Sequence, residues 1–256
     1  MIRNIKEIHE AQNKTEKDIA SLTINKFGRH IELLNAQCNA LSEFLANYYD
    51  YGNTKHDDSN QFILCFSLLS DSLRKERVCI DLILRGYYNE VAELARHIMQ
   101  SSFQIIYISK NKESWKEWFK QQDYEEKKLT QSVTNPRTIF FNFWNFLTIL
   151  NEQDYYKCFQ KLSSWSHPSI ESMRSVLELK PEPEQVHKYF ITTRYDEMRA
   201  EFLLNIIYGF IDRCVWDGFK DLFVLVDTIP YNLQFYKKIQ DDAARTFDIF
   251  YSSNSL

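Results

Sequence analysis

The chain has 256 residues and a formal net charge of −4, with 31 Lys plus Arg against 35 Asp plus Glu, so composition supplies no basic field for nucleic acid or an anionic membrane. Its five glycines and five prolines stand against the roughly thirty that average usage would place in a chain this long. So few turn formers exclude hairpin-rich sandwiches and barrels and a glycine-rich phosphate loop, whereas 44% hydrophobic and 15% aromatic content predicts a large packed core.

The opening residues, Met1 to Glu7, lack the apolar run of a signal peptide. From Ile24 the apolar residues fall at 24, 27, 31, 34, 38, 41, 45 and 48, alternating steps of three and four. That heptad predicts a long N-terminal helix over residues 1–51 with one narrow seam. Ile24, Phe27, Ile31, Leu34, Leu41 and Leu45 on that seam could pack antiparallel inside a bundle, or could pair with a second copy or another protein. Asp50 to Asn60 reads as a loop. A helix then runs over Asn60 to Arg85, with Phe62, Phe66, Leu69, Leu73, Ile80 and Leu84 on one side. Gly86 is placed to end it in a left-handed conformation. Tyr87 to Asn89 form a short link, with Asn89 as the N-cap of a helix over 89–109 lying beside its predecessor.

That helix has two ridges, Val91, Leu94, Ile98, Ser102 and Ile105 in one and Ala92, Arg96, Gln100, Phe103 and Tyr107 in the other. Apolar groups on both sides make it central, so Arg96 and Gln100 are expected to face a neighbouring helix. Ser114-x-x-Glu117 has the form of a capping box, opening a helix with Trp115, Trp118 and Phe119. The mixed charges of Lys110 to Lys128 read as a solvated face. Asn135-Pro136 marks another start, and Ile139 to Leu150 is apolar enough to be buried all round. Asp154 can cap a helix holding Tyr155, Phe159 and Leu162, which ends by Ser166 because Pro168 disfavours the helical conformation at His167.

Lys180-Pro-Glu-Pro-Glu reads as an extended, charged linker. Beyond it a helix over Asp196 to Phe223 carries Met198, Phe202, Ile206, Phe210 and Cys214. After Pro230 a last amphipathic helix carries Tyr236, Ile239, Ala243, Phe247 and Phe250. The fold class is therefore all-α: a bundle of seven or eight helices forming one domain over 1–256. Residues 1–51 are its long helix, 59–178 its motif-bearing core and 186–251 its C-terminal helices. Leu203 to Ile211 is too short for the ~20 residues of a membrane span, so no membrane partner is expected. Five cysteines without a C-x-x-C pair read as reduced, packed thiols in a cytoplasmic protein.

Candidate chemistry is sparse. A lone Glu-x-x-His, Glu184 to His187, occurs where a two-metal bundle needs a pair of them, and there is no His-Glu-x-x-His run, so neither metal nor other cofactor is expected. Arg3 and His9 have the spacing of an R-x(4–6)-H ribonuclease pair, in which Arg holds a phosphate and His moves a proton, but one such match arises by chance in a chain of this composition. The more informative set is Arg96 with Gln100, and Ser163 with His167-Pro168-Ser169. In it Arg96 could bind a phosphate or carboxylate, His167 could transfer a proton, and Ser163 could orient His167 or touch the ligand. Gln100, Trp165 and Tyr107 complete the candidate contacts. The same residues also suit a purely structural reading, a buried cation satisfied by its neighbours and a histidine pinning a helix junction.

The run from Gly86 through Glu90 to Arg96, then Gln100, Trp115 and Trp118, then Leu162-Ser163-Ser-Trp-Ser-His167-Pro168-Ser169, resembles a bacterial family of uncharacterised all-helical, HEPN-like proteins. The likeness covers about Leu84 to Ser169, a third of the chain. It departs where Gln100 replaces a Glu and Phe159 a Tyr; the first departure removes a carboxylate that could act as a base or pair with Arg96. The resemblance implies a HEPN-like core and a role as effector or accessory in phage defence or toxin–antitoxin systems. If catalytic, the protein would then be a metal-independent endoribonuclease using His167 and Arg96. The alternative, from the heptad, is a non-catalytic scaffold that dimerises or binds a partner through the Ile24–Tyr48 seam.

Overall fold

A computed structural model of the chain describes residues 5–55, 59–111, 113–116, 143–167, 172, 177–180, 185–189 and 193–219. Arg3, Glu117, Trp118, Phe119, Asn135-Pro136, Pro168-Ser169 and the last helix, Tyr236 to Phe250, lie outside the described residues. Within them the elements are α1 (Ile5–Lys55), α2 (Ser59–Arg85), α3 (Tyr88–Lys110), α4 (Phe143–Ile149) and α5 (Tyr155–Ser166). Two strands follow, β1 (Leu177–Lys180) and β2 (Gln185–Tyr189), and then α6 (Glu197–Arg213), continued as a π-helix over Cys214–Phe219. The protein is thus a helical one with a long N-terminal helix, as its heptads predict. It divides into two compact units, each discontinuous in sequence. The first is Met1–Asn35, Arg74–Ile98 and Lys157–Gly209; the second is Ala36–Leu73, Met99–Tyr156 and Phe210–Leu256.

In the first unit, α1 is kinked at Phe27, whose φ of −119° and ψ of 17° are not helical. The next residue is Gly28, and a glycine at the break is a recognised cause of a sharp bend. The end of α2 follows the sequence reading closely. Gly86 takes φ +81°, its N–H bonds to the carbonyl of Ile83 at 3.1 Å, and the N–H of Tyr87 bonds to that of Leu82 at 3.0 Å. This pair of bonds is a Schellman closure, and it satisfies carbonyls that the helix end would leave bare. The Thr193 hydroxyl covers another, donating to the Arg85 carbonyl at 2.7 Å.

The link to α3 is shorter than expected, Gly86-Tyr87 alone. Asn89 is therefore no cap: it lies in the first turn of α3, and its amide donates to the Ser172 carbonyl at 2.8 Å. Asp196 does cap α6, its Oδ1 accepting the backbone N–H of Arg199 at 3.1 Å. α5 ends at Ser166, as Pro168 requires. The segment read as an extended linker joins an antiparallel hairpin, with Leu177 opposite Tyr189, Lys180 opposite Gln185, and a register shift after Glu178. Leu-Glu-Leu-Lys does alternate apolar and polar residues, and Gln-Val-His-Lys-Tyr does so up to His187. The Pro-Glu-Pro-Glu run between them drew the reading away from that pattern.

In the second unit, Phe44, Phe66 and Phe219 meet with ring centroids 5.7 to 6.3 Å apart. A second group centres on Phe103, with Phe143 at 6.0 Å, Tyr155 at 5.3 Å and Phe210 at 6.1 Å. Arg213 lies over the Phe103 and Tyr155 rings and is held by Glu152 and by Asp217, the latter 2.9 Å from Nε. Asn151 ends α4 with φ +57°, in the left-handed region that asparagine tolerates better than most residues. Gly218 is required by packing: a Cβ there would stand 2.8 Å from Ile105 Cγ2.

Several burial expectations need correction. Phe27, Leu34 and Leu41 are covered by the chain itself, Leu34 and Leu41 at 1% exposure, and Ile31 and Leu45 are half-buried. Ile24 alone of that set is open, at 52%. Most of the seam is thus packed against the chain itself. The loop expected over Asp50 to Asn60 is helical to Lys55 and again from Ser59. Of the run expected to be buried all round, Phe143, Phe146 and Leu147 are buried while Trp144 and Ile149 are exposed.

On α6 and its continuation, Met198 is 68% exposed and Phe202 and Ile206 are half-buried, while Phe210 and Cys214 are buried together with Ala200, Leu203, Leu204, Ile207 and Ile211. The reason is geometric. A strict row of i+4 steps rotates about 40° per step, so Met198 and Cys214 stand about 160° apart around the axis and cannot share a face. The five cysteines are buried and unbridged, as their apolar settings predict.

Candidate functional site

α3 supplies Arg96, and α5 supplies Phe159 and Ser163 one turn apart, with His167 at the first position past its end. All four belong to the first unit. Arg96 and His167, seventy-one positions apart in sequence, converge: Arg96 Nη1 lies 3.2 Å from His167 Nε2. A guanidinium has donors only, so a hydrogen bond across this contact is one that Arg96 donates and His167 Nε2 accepts, with the ring proton on Nδ1. The Arg96 guanidinium carbon sits 5.7 Å from the centroid of the Phe159 ring. His167 is exposed and Arg96 half-buried, so the pair reaches solvent on the imidazole side.

What surrounds the pair is as informative as the contact. Arg96 Nε and Ser163 Oγ are both shut off from the surface without a hydrogen-bond acceptor or donor among the described residues. Nor does any described carboxylate pair with Arg96. Arg199 and Arg213 contrast with it: Arg199 has Asp196, and Arg213 has both Glu152 and Asp217. A cation withdrawn from water ordinarily acquires a carboxylate to offset its lost hydration. Arg96 instead has an aromatic face and an imidazole just past the end of α5, where the helix's partial negative charge supplies some of that offset. Chemically, this is a guanidinium with spare donors beside a proton acceptor.

The remaining candidates are Trp165, Gln100 and Tyr107. Trp165 is 4% exposed, with its ring 5.2 Å from that of Phe202 and flanked by Arg199 at 4.9 Å and Lys161 at 5.5 Å. It packs as a wedge and has no open face for a ligand. Gln100 and Tyr107 are half-buried members of the second unit; the Tyr107 ring lies 5.1 Å from that of Phe146. Ser114, expected to open a capping box, turns its hydroxyl to the Asn111 carbonyl at 2.6 Å.

Beside the pair lies a group the sequence did not single out. Arg199, 3% exposed, bonds through Nη1 to Asn89 Oδ1 at 2.9 Å, and its Nε stands 3.5 Å from Asp196 Oδ2. The usable signal was an Asp three residues before an Arg at a helix start, with that Arg between Met198 and Ala200.

Among the described residues no three His, Cys, Asp or Glu side chains gather closely enough to hold a metal ion. Burial pushes the thiols of Cys65, Cys79 and Cys214 well up from their ordinary range, which keeps them protonated and unreactive. Among the described residues no helix is long and apolar enough to cross a membrane. Comparison with protein-family models, with curated proteins and with solved structures finds no match to this chain.

Proposed function

We propose that Arg96 and His167 form a metal-independent site that binds a phosphodiester of RNA and cleaves it, in a helical protein of HEPN-like type. The setting that the motif resemblance implies is a bacterial defence or toxin–antitoxin system. One observation carries the reading: a half-buried guanidinium with no carboxylate partner among the described residues, directly against a solvent-reaching imidazole. With a net charge of −4 there is no long-range attraction for RNA, so affinity must come from this local fork of donors.

In this reading the contact seen here is the resting arrangement. A phosphate oxygen takes the Arg96 N–H now given to His167, and the freed Nε2 accepts the proton of the ribose 2′-hydroxyl. The 2′ oxygen bonds to phosphorus as the bond to the 5′ oxygen breaks, and the leaving oxygen is protonated from water. Arg96 stabilises the charge that builds on the phosphorane oxygens. The ends are therefore a 2′,3′-cyclic phosphate and a 5′-hydroxyl.

The test is incubation with total RNA and with a defined oligonucleotide in the presence of a chelator. Removing the base in His167→Ala should slow cleavage by about 10²- to 10⁴-fold, and Arg96→Ala by about 10²-fold, with helicity retained. Wild-type protein that leaves RNA intact, or a His167→Ala variant that cuts as fast, ends the catalytic reading.

A further inference from the structure

His167 stands one residue past α5, exposed, and among the described residues its ring has a single polar contact, the one to Arg96. An imidazole so placed has little of its own to fix where Nε2 points. We propose that Arg199 is a positioning residue for His167, acting on both sides of it at once through Trp165 and Asn89. The proposal rests on the reading of Arg96 and His167 as the working pair.

On one side, the Arg199 guanidinium lies 4.9 Å from the centroid of the Trp165 ring, two residues before His167. Lys161, 5.5 Å from the same centroid, adds a second cation to a ring that is already buried. On the other side, Arg199 Nη1 donates to Asn89 Oδ1 at 2.9 Å, and the other end of that amide donates to the Ser172 carbonyl at 2.8 Å, five residues after His167. Asn89 and Arg96 are seven positions apart on α3, two turns, and so lie within about 20° of one face. α3 thus reaches the His167 segment at two points, Arg96 at the imidazole and Asn89 at Ser172. Arg199 orients the Asn89 amide, since a carbonyl oxygen turned toward a guanidinium leaves the amino group for Ser172. Asp196 completes the unit, its carboxylate holding both the Arg199 side chain and the Arg199 backbone N–H. Arg199 is not placed at the reacting atoms; it acts through its neighbours.

The experiment reads the histidine itself, by the nitrogen-15 resonances of its ring in the intact chain. Wild-type protein should show His167 chiefly with Nδ1 protonated and Nε2 bare, and Arg96→Ala should abolish that preference. Arg199→Lys keeps a cation beside Asp196 but cannot both stack on Trp165 and meet Asn89. Asn89→Ala keeps the Arg199–Asp196 pair while cutting the tie to Ser172. Each should lower the ratio of the two His167 tautomers by roughly tenfold, the equivalent of one lost hydrogen bond at about 1.4 kcal/mol.

If Arg199→Lys does not fold, Asn89→Ala decides the matter. Folded variants with wild-type helicity and wild-type His167 resonances overturn the proposal, because a merely structural Arg199 would leave the tautomer alone. Wild-type RNA left uncut, with the tautomer still responding to both variants, removes the ribonuclease reading and retains the positioning role.

Discussion

Replacing Gly86 with alanine tests the turn on which the α2–α3 hairpin depends. The residue sits at φ +81°, and placing a Cβ in the left-handed region costs about 1–2 kcal/mol. That Cβ would also stand 3.0 Å from Ile19 Cδ1, 3.2 Å from the Arg194 carbonyl oxygen and 3.3 Å from Thr193 Cβ. The methyl end of Ile19 can yield. The Arg194 backbone oxygen cannot move so freely, because Thr193 beside it is tied to the Arg85 carbonyl.

Crowding of this kind adds about 1–3 kcal/mol, while the stiffer unfolded chain returns about 0.4–1 kcal/mol, so the net loss should be about 2–3 kcal/mol. At about 2–4 °C per kcal/mol for a chain of this size, the melting temperature should fall by about 5–10 °C. Urea unfolding followed by circular dichroism measures the change, with an unaltered slope marking an effect on stability alone. Gly28→Ala is the internal control. Its Cβ would meet only Ile24 Cγ2, at 4.0 Å, so the better helix former should stabilise α1 by up to ~1 kcal/mol. Opposite signs are the expected result; a Gly86→Ala protein within ~0.5 kcal/mol of wild type, or two shifts of the same sign, would refute the reasoning.

Two further outcomes follow from burial. Leu34→Asp should strip helicity instead of splitting a dimer, since an unpaired carboxylate at a site 1% exposed costs more than about 4 kcal/mol; a folded variant with native ellipticity and a halved mass by light scattering would contradict this. Burial pushes the Tyr88 phenol from 10 up to about 12, whereas in the unfolded chain it ionises near 10. The stability from keeping it neutral is whole below pH 10 and is lost as pH rises through about 12, so Tyr88→Phe should remove about 2–3 kcal/mol of alkaline destabilisation, read by denaturant titrations between pH 9 and 12. Identical alkaline limbs for the two proteins would show that Tyr88 is not so held.

The candidate site was legible in sequence at its two ends and not between them. Arg96 was marked by its place on a ridge of a helix with two apolar sides, and His167 by a proline that forces a helix to stop just before it. Trp165 and Tyr107 were included because aromatic residues near a helix end can serve either a ligand or the core, and only their packing separates the two roles. Arg199 went unnoticed because a lone arginine near a helix start has no periodic signature; its meaning lies in Asn89, 110 positions away. Met198 at the start of α6 is exposed, unlike Phe210 and Cys214, for a related reason. Rows of four and rows of three are equally visible in a sequence, yet they lead to different sides of the helix.

Local chemistry alone determined that this chain is helical, where α2 ends, why a glycine must end it, and that α5 stops before His167. Those features depend on φ/ψ preferences and on hydrogen bonds spanning a few residues, which neighbouring amino acids specify completely. Tertiary structure decided that Leu34 and Leu41 of the heptad seam are buried, that Asn89 reaches across to Ser172 instead of capping its own helix, and that Arg96 meets an imidazole where Arg199 and Arg213 meet carboxylates. Each of these depends on which distant group arrives at a given distance, and a guanidinium is satisfied or left wanting only by what stands within about 3 Å of it.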